Sequence, residues 1–217
     1  MSAIDTVVES LHGRHVHGRR VRTLAARFTS LLAGYPSARI LDVGCGDGRL
    51  DQLILQSMPT RVEIEGIDVR VRPNACIPTR EFDGSHIPYP NSSFDVVMFV
   101  DVLHHTIDPN ELLDEAVRVL RPNGIVAIKD HLLRGLLARP TLRFMDYIGN
   151  ARHGVALPYN YWSGAQWNAA FRRVGLDVAR WEQNLGLYPI PFNVIFGRSL
   201  HFIAALRKSA PLNQPGT

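Results

Sequence analysis

A chain of 217 residues has room for one α/β domain and at most a small appendage. Its 46% hydrophobic share is ordinary for a globular protein with a real core, which argues against a disordered chain, and no apolar run is long enough to span a bilayer as a helix. The net charge of +4 comes almost wholly from arginine, with Lys129 and Lys208 the only lysines, and it is too modest to mark a nucleic-acid binder.

The first ten residues, MSAIDTVVES, lack a basic stretch followed by an apolar one, so no signal peptide is expected. Basic residues then gather from His12 to Arg22 in HGRHVHGRRVR, which reads as a solvated helix face. Contact with an acidic partner or a membrane surface is the other reading; peripheral membrane contact stays open but is not expected. His12, His15 and His17 have no cysteine or carboxylate beside them, so no metal is expected. Apolar positions from Val21 to Leu32 recur at helical spacing. Arg39 to Val43 reads as a buried strand and Gly46 to Leu55 as a helix. Val62 to Val69 alternates as a second strand, and Arg80 to Asp83 is a short third. Ser93 to Asp101 is a continuous apolar run, the pattern of a strand buried on both faces. Asn110 to Leu120 carries a helical stripe that Pro122-Asn123-Gly124 breaks, and Ile125 to Asp130 is a fifth strand. His131 to Tyr161 shows no clean strand and reads as a partly helical insertion. Ser163 to Gln166 has the form of a capping box opening a helix to about Val174. Leu176 to Asn184 and Ser199 to Arg207 resemble two last strands, joined by the apolar loop LGLYPIPFNVIFGR, whose composition suits contact with a ligand or partner. Strands alternating with helices predict a parallel sheet built from right-handed crossovers. Cys45 and Cys76 fit a reduced, cytoplasmic protein better than a disulfide framework.

The stretch Ile40 to Leu50, ILDVGCGDGRL, places an acid and three alternate glycines between the first strand and its helix. A phosphate-binding loop would need Lys and then Ser or Thr after the last glycine, but Gly48 is followed by Arg49-Leu50. A dinucleotide turn would need G-x-G-x-x-G, and Gly44-x-Gly46-x-Gly48 misses that spacing by one. Asp42 just before the turn would repel a pyrophosphate and suits a ligand with positive charge. The glycines permit close backbone approach.

This stretch resembles motif I of the class I S-adenosylmethionine-dependent methyltransferases, usually D-x-G-C-G-x-G. Asp68 at the end of the second strand, Asp83-Gly84 in EFDGSHIPYPNSSFDVV, and LLDEAVRVLRPNGIVAI are similar to later family segments, so the likeness is close from Arg39 to Asp130 and looser beyond. It implies a Rossmann-like, seven-stranded, mostly parallel sheet with helices on both faces and a reversed last strand. It implies S-adenosyl-L-methionine as cofactor, with contacts at Asp42, Gly44, Cys45, Gly46, Asp68, Val69, Asp83, Gly84 and Val100. Asp68 would bind both ribose hydroxyls, since a carboxylate accepts two hydroxyl bonds well; Asp83 would meet the adenine amino group. One domain over residues 1–208 is expected, with 1–38 a helical extension, 131–162 an insertion covering the acceptor, and 209–217 a frayed tail.

Methyl transfer needs an aligned acceptor and, for an acceptor that holds its proton, a base. His104 and His105 follow the fourth strand, where imidazole suits base work near neutrality; His105 is the first choice and His104 the second. Asp130 and His131 end the fifth strand and face the same crevice. Successive strand residues point to opposite faces, so the two are expected to act apart. Asp130, His131, Tyr159, Tyr161 and Phe192 are the expected acceptor contacts, within an aromatic insertion that can wall an apolar pocket. A small, apolar or aromatic, or lipid-like acceptor is expected. Oxygen, nitrogen and carbon acceptors all remain open. Nucleic-acid acceptors are disfavoured: the fourth strand ends in DVLHH, without the two prolines and aromatic of adenine methylation, and neither cysteine is placed to attack cytosine. The competing function is a non-catalytic S-adenosylmethionine-binding fold used for interaction or regulation.

Overall fold

The computed structural model describes residues 14–150, 158–190, 192–197 and 199–209. The first ten residues, His12 and the tail beyond 209 lie outside them, as do the side chains of His15 and His17. Seven strands form one sheet: β1 Ala38–Val43, β2 Val62–Asp68, β3 Thr79–Glu81, β4 Phe94–Val100, β5 Leu120–His131, β6 Leu176–Gln183 and β7 His201–Lys208. Their order is β3-β2-β1-β4-β5-β7-β6. The pairs from β3 to β5 are parallel, and β7 runs antiparallel to both its neighbours. The expected mostly parallel sheet with a reversed last strand is thus present. Helices α1 Arg14–Leu32, α2 Arg49–Ser57, α3 Pro109–Val119, α4 Ala138–Asn150 and α5 Gly164–Arg173 connect and cover it. Among the described residues no helix is long and apolar enough to cross a membrane.

Alternation along each strand builds two cores. Leu41, Val97, Phe99, Val126 and Ile128 face α3 and α5, while Ile40, Val96, Met98, Ile125 and Ala127 face α1 and α2. Because both faces are covered, the central strands read as unbroken apolar runs. Asp42 stands two residues from Ile40 and therefore points toward α2. Lys129 stands two from Ala127 and points toward α1. That parity puts charged groups inside the fold at the carboxyl ends of the strands.

Helix α2 starts at Arg49 rather than Gly46. Gly44, Gly46 and Gly48 all adopt left-handed backbone, with φ of 78°, 62° and 70°, which a right-handed helix cannot contain. The Ser163 capping box forms as expected: Ser163 Oγ accepts from Gln166 N at 3.4 Å, and Gln166 Oε1 accepts from Ser163 N at 2.9 Å. Residues 131–162 are partly helical, as expected: α4 is their helix. Ala138 and Leu142 of this helix are buried, whereas Phe144 and Tyr147 are exposed. The loop after β6 is only partly exposed: Leu185, Leu187 and Tyr188 pack into the α1-side core.

Candidate active site

The glycine turn closes over the carboxyl ends of β1 and β2. Gly44 N and Cys45 N both donate to Ile67 O, at 2.7 and 3.2 Å. At Gly44 the left-handed φ and the neighbour act together, since an added Cβ would run into Val102 Cγ2. Gly46 differs: the nearest atom to an added Cβ is the tip of Arg72 at 4.0 Å, so the turn is open there. Asp68 braces it. Its Oδ2 accepts from Gly46 N at 2.8 Å and its Oδ1 from Arg70 N at 3.0 Å, which leaves a lone pair on each oxygen for a diol. Asp83 is exposed; its Oδ1 accepts from Ser85 N and His86 N at 2.8 and 2.7 Å, and these bonds hold its carboxyl below the usual range. Val69 is exposed, Gly84 stands at φ 90° beside it, and Val100 lies half-buried in the α1-side core.

Beneath the turn two carboxyls meet. Asp42 on β1 and Asp51 on α2 are both buried, and burial pushes both upward, Asp51 to about 7. Asp51 and then Asp68 further raise Asp42, Asp47 raises Asp51, and the Cys45 thiol, itself pushed up to about 12 by burial, is the other titrating neighbour. Asp42 Oδ1 and both Asp51 oxygens are buried without a hydrogen-bond partner. Orphaned acceptors of this kind fit an ammonium group, and with the open turn and the Asp68 lone pairs they fit S-adenosylmethionine. Asp51 is a residue that sequence reasoning missed; its signal was an acid three residues from Ile54 on an otherwise apolar helix face. Its folded pKa lies above the unfolded value, so it opposes folding once pH rises past about 4 and most fully above about 7. Asp51→Asn should therefore raise the melting temperature at pH 8 and change it little at pH 4. A lower melting temperature at pH 8 would contradict the buried-acid reading.

The ends of β4 and β5 hold a second group of buried charges. Asp101 follows β4 with φ 59°, a left-handed conformation uncommon outside glycine, and pairs with both Arg20 of α1 and Lys129 of β5. Lys129 is fully buried; burial lowers its pKa against the pull of Asp101, and its Nζ lies 3.3 Å from His201 Nδ1. The two cations hold the Asp101 carboxyl well below the usual range despite burial. On the other face, His104 Nδ1 lies 2.6 Å from Asp130 Oδ1, and Asp130 also accepts from Leu103 N at 3.1 Å and His131 N at 2.6 Å. Burial alone would lower the His104 pKa, but Asp130 and Asp146 overcome it and raise it to about 10. The carboxylates thus favour the imidazolium form of His104. His105, half-buried with its ring tilted 45° and centred 3.9 Å from the His104 ring, is pushed down to about 4 by burial and by the His104 charge. The two adjacent histidines are thus pushed in opposite directions by their surroundings.

The expectation that Asp130 and His131 act apart is corrected. His104 lies across the strand end and reaches both, its Nδ1 also 3.2 Å from His131 Nδ1. His131 is buried and held well below the usual range by burial and by His104. Tyr161 is buried too, its hydroxyl donating to Asp146, which sits 3.6 Å from His104 Nε2. Tyr159 is half-buried at φ 57° under the Arg143 guanidinium, and Phe192 stacks on Phe196. Arg20, Asp146 and His201 were missed by sequence reasoning, because they join the cluster from α1, α4 and β7 and no local spacing links them.

Residues 16–180 match the model of the methyltransferase-domain family. The 27-O-demethylrifamycin SV methyltransferase of Amycolatopsis mediterranei (strain S699) is 29% identical over 155 residues, 60% of this chain and 56% of that protein. Methyltransferase GfsG of Streptomyces halstedii is 29% identical over 153 residues, 63% of this chain and 49% of that protein. The chain thus spans about half the length of these curated relatives. Among solved structures, the Burkholderia thailandensis 1,6-didemethyltoxoflavin-N1-methyltransferase with bound 1,6-didemethyltoxoflavin and S-adenosylhomocysteine aligns with a TM-score of 0.65 at 18% identity, covering 95% of this chain and 87% of that one. That likeness is one of fold.

Proposed function

The chain belongs to the class I S-adenosylmethionine-dependent methyltransferases, and from that premise we propose that it transfers a methyl group to a small apolar or aromatic acceptor. When bound, the cofactor supplies an electrophilic methyl group on a sulfonium that is a good leaving group. The chain's own residues would hold it: Asp68 at the ribose, the Gly44–Gly46 turn and the Asp42–Asp51 pair at the ammonium end, and Asp83, Gly84, Val69 and Val100 around the base. Asp83 Oδ2 is the oxygen its turn bonds leave for a donor such as the adenine amino group.

The observation that carries the acceptor reading is geometric: His105 is half-buried at the end of β4 with its ring centre 3.9 Å from that of His104, whose Nδ1 is held 2.6 Å from Asp130 Oδ1. His104 keeps its proton and acts as a fixed cation among Asp130, Asp146 and His131. His105 stays neutral and is the residue we assign as base, taking a proton from an acceptor hydroxyl. Tyr159 and Phe192 are the aromatic groups assigned to the acceptor wall. Asp130, His131 and Tyr161 support them from behind, as their burial requires. The N-terminal helix α1 covers this end of the sheet and anchors to it through Arg20 and Asp101. The free thiols of Cys45 and Cys76 support a reducing, cytoplasmic setting. The test is transfer of labelled methyl from S-adenosylmethionine to a panel of hydroxylated aromatic and apolar acceptors. Label in a small acceptor supports the reading. Cofactor binding without transfer to any class would favour the interaction role instead.

A further inference from the structure

The two segments that leave the carboxyl ends of β5 and β6 form one exposed apolar face. Leu136, Leu137, Phe144 and Tyr147 protrude from α4 and the turn before it, and Ile190 and Val194 from the loop before β7. Leu136 is 100% exposed and Ile190 86%. The segments are joined: Phe144 stacks on Phe196, with ring centres 6.4 Å apart, and Arg134 donates to Gln183 Oε1 at 3.1 Å. Single exposed apolar residues need no explanation, but a joined group of this size on one edge does.

Charge says what covers it. Between Asp130 and Asp177 the only acid is Asp146, which is buried, and after Glu182 the chain contains no acid at all. Arg134, Arg139 and Arg143 are exposed on the apolar face itself. Two segments without an exposed carboxylate, with arginines set among protruding leucine and aromatic side chains, are complementary to an anionic lipid surface. The face borders the mouth of the candidate site, because β5 and β6 end on the same edge of the sheet as the glycine turn.

We propose that this face docks on an anionic lipid bilayer and that the candidate site opens against it. The apolar side chains enter the acyl boundary and the arginines meet lipid phosphates. The acceptor class that follows is an apolar molecule resident in the membrane. That last step rests on the methyltransferase reading, whereas docking itself needs neither cofactor nor acceptor. The occupant is a lipid surface rather than another protein because the arginine spacing requires only diffuse negative charge.

Co-sedimentation of the full chain with vesicles tests it. The vesicles are equal parts phosphatidylglycerol and phosphatidylcholine, compared with phosphatidylcholine alone. The protein should sediment with the anionic vesicles, weakly or not at all with the neutral ones, and less as salt rises. Arg139→Ser should weaken partitioning about fivefold, the effect of one basic residue near such a surface. Leu136→Asp and Ile190→Asp should abolish it; both positions are exposed, so the fold is retained, which a melting curve checks. Arg19→Ser on the exposed face of α1 should leave it unchanged. Absence of binding to anionic vesicles would overturn the proposal, as would binding that survives Leu136→Asp and Ile190→Asp but is lost in Arg19→Ser. Loss of vesicle binding together with intact methyl transfer to soluble acceptors would remove the membrane and leave the enzyme reading standing.

Discussion

Asp130→Ala should destabilise the protein by about 3–5 kcal/mol, the cost of leaving one partner of a buried ion pair uncompensated. Asp130 is fully buried and accepts from His104 Nδ1, Leu103 N and His131 N, so its removal orphans a cation and two backbone donors together. For a chain of this size the loss corresponds to roughly 6–20 °C in melting temperature. The effect has a pH signature. His104 has a folded pKa of about 10 against an ordinary 6.5, so its stabilisation is complete below about 6.5 and is lost as pH rises through about 10. The gap between wild type and Asp130→Ala should therefore narrow across that window. Melting curves at pH 6, 8 and 10 read both features. A shift of only ~2 °C at pH 6, the effect of no more than about one kcal/mol and well below the expected range, would mean that His104 is not held charged by Asp130.

His105→Gln should lower turnover of a hydroxyl acceptor about 100-fold to 10,000-fold, the usual contribution of a positioned base. Glutamine keeps a polar side chain of similar reach but cannot take the proton. With saturating cofactor, wild-type turnover should persist at pH 5 and fall only as pH drops through about 4, since the imidazole is neutral above that value. An ordinary histidine would lose activity near 6.5. Affinity for S-adenosylhomocysteine should not change in the variant. Near-normal turnover by His105→Gln would make the residue architectural and leave alignment alone to carry the transfer.

Much of the fold is legible in the sequence for identifiable reasons. The runs Arg39 to Val43, Ser93 to Asp101 and Ile125 to Asp130 are apolar on both faces because helices cover both sides of the sheet, and all three became central strands. Ser163 and Gln166 announce a helix start because their bonds are local. The glycine turn was legible for the same reason. The buried network was not. Arg20, Lys129, Asp101, His201 and Asp146 come from α1, β5, the end of β4, β7 and α4, so only tertiary packing brings them together. The opposite shifts of His104 and His105 depend on Asp130, twenty-six residues away from His104, and on burial that neither residue's neighbours reveal. Which apolar residues of α4 face outward was not legible, because tertiary packing buries Ala138 and Leu142 and leaves Phe144 and Tyr147 exposed.

Calorimetric titration of S-adenosylhomocysteine into wild type and Asp68→Ala tests whether the glycine turn is a methyltransferase cofactor site. Wild type should bind one molecule per chain. Asp68→Ala should lose at least ~1.5 kcal/mol, the scale of a hydrogen bond to a charged group, which is about tenfold in affinity. Binding should also strengthen in wild type as pH rises through about 7, as the Asp42–Asp51 pair gives up its proton to face the ligand ammonium. No binding by folded wild type, or undiminished affinity in Asp68→Ala, would contradict the assignment of the turn.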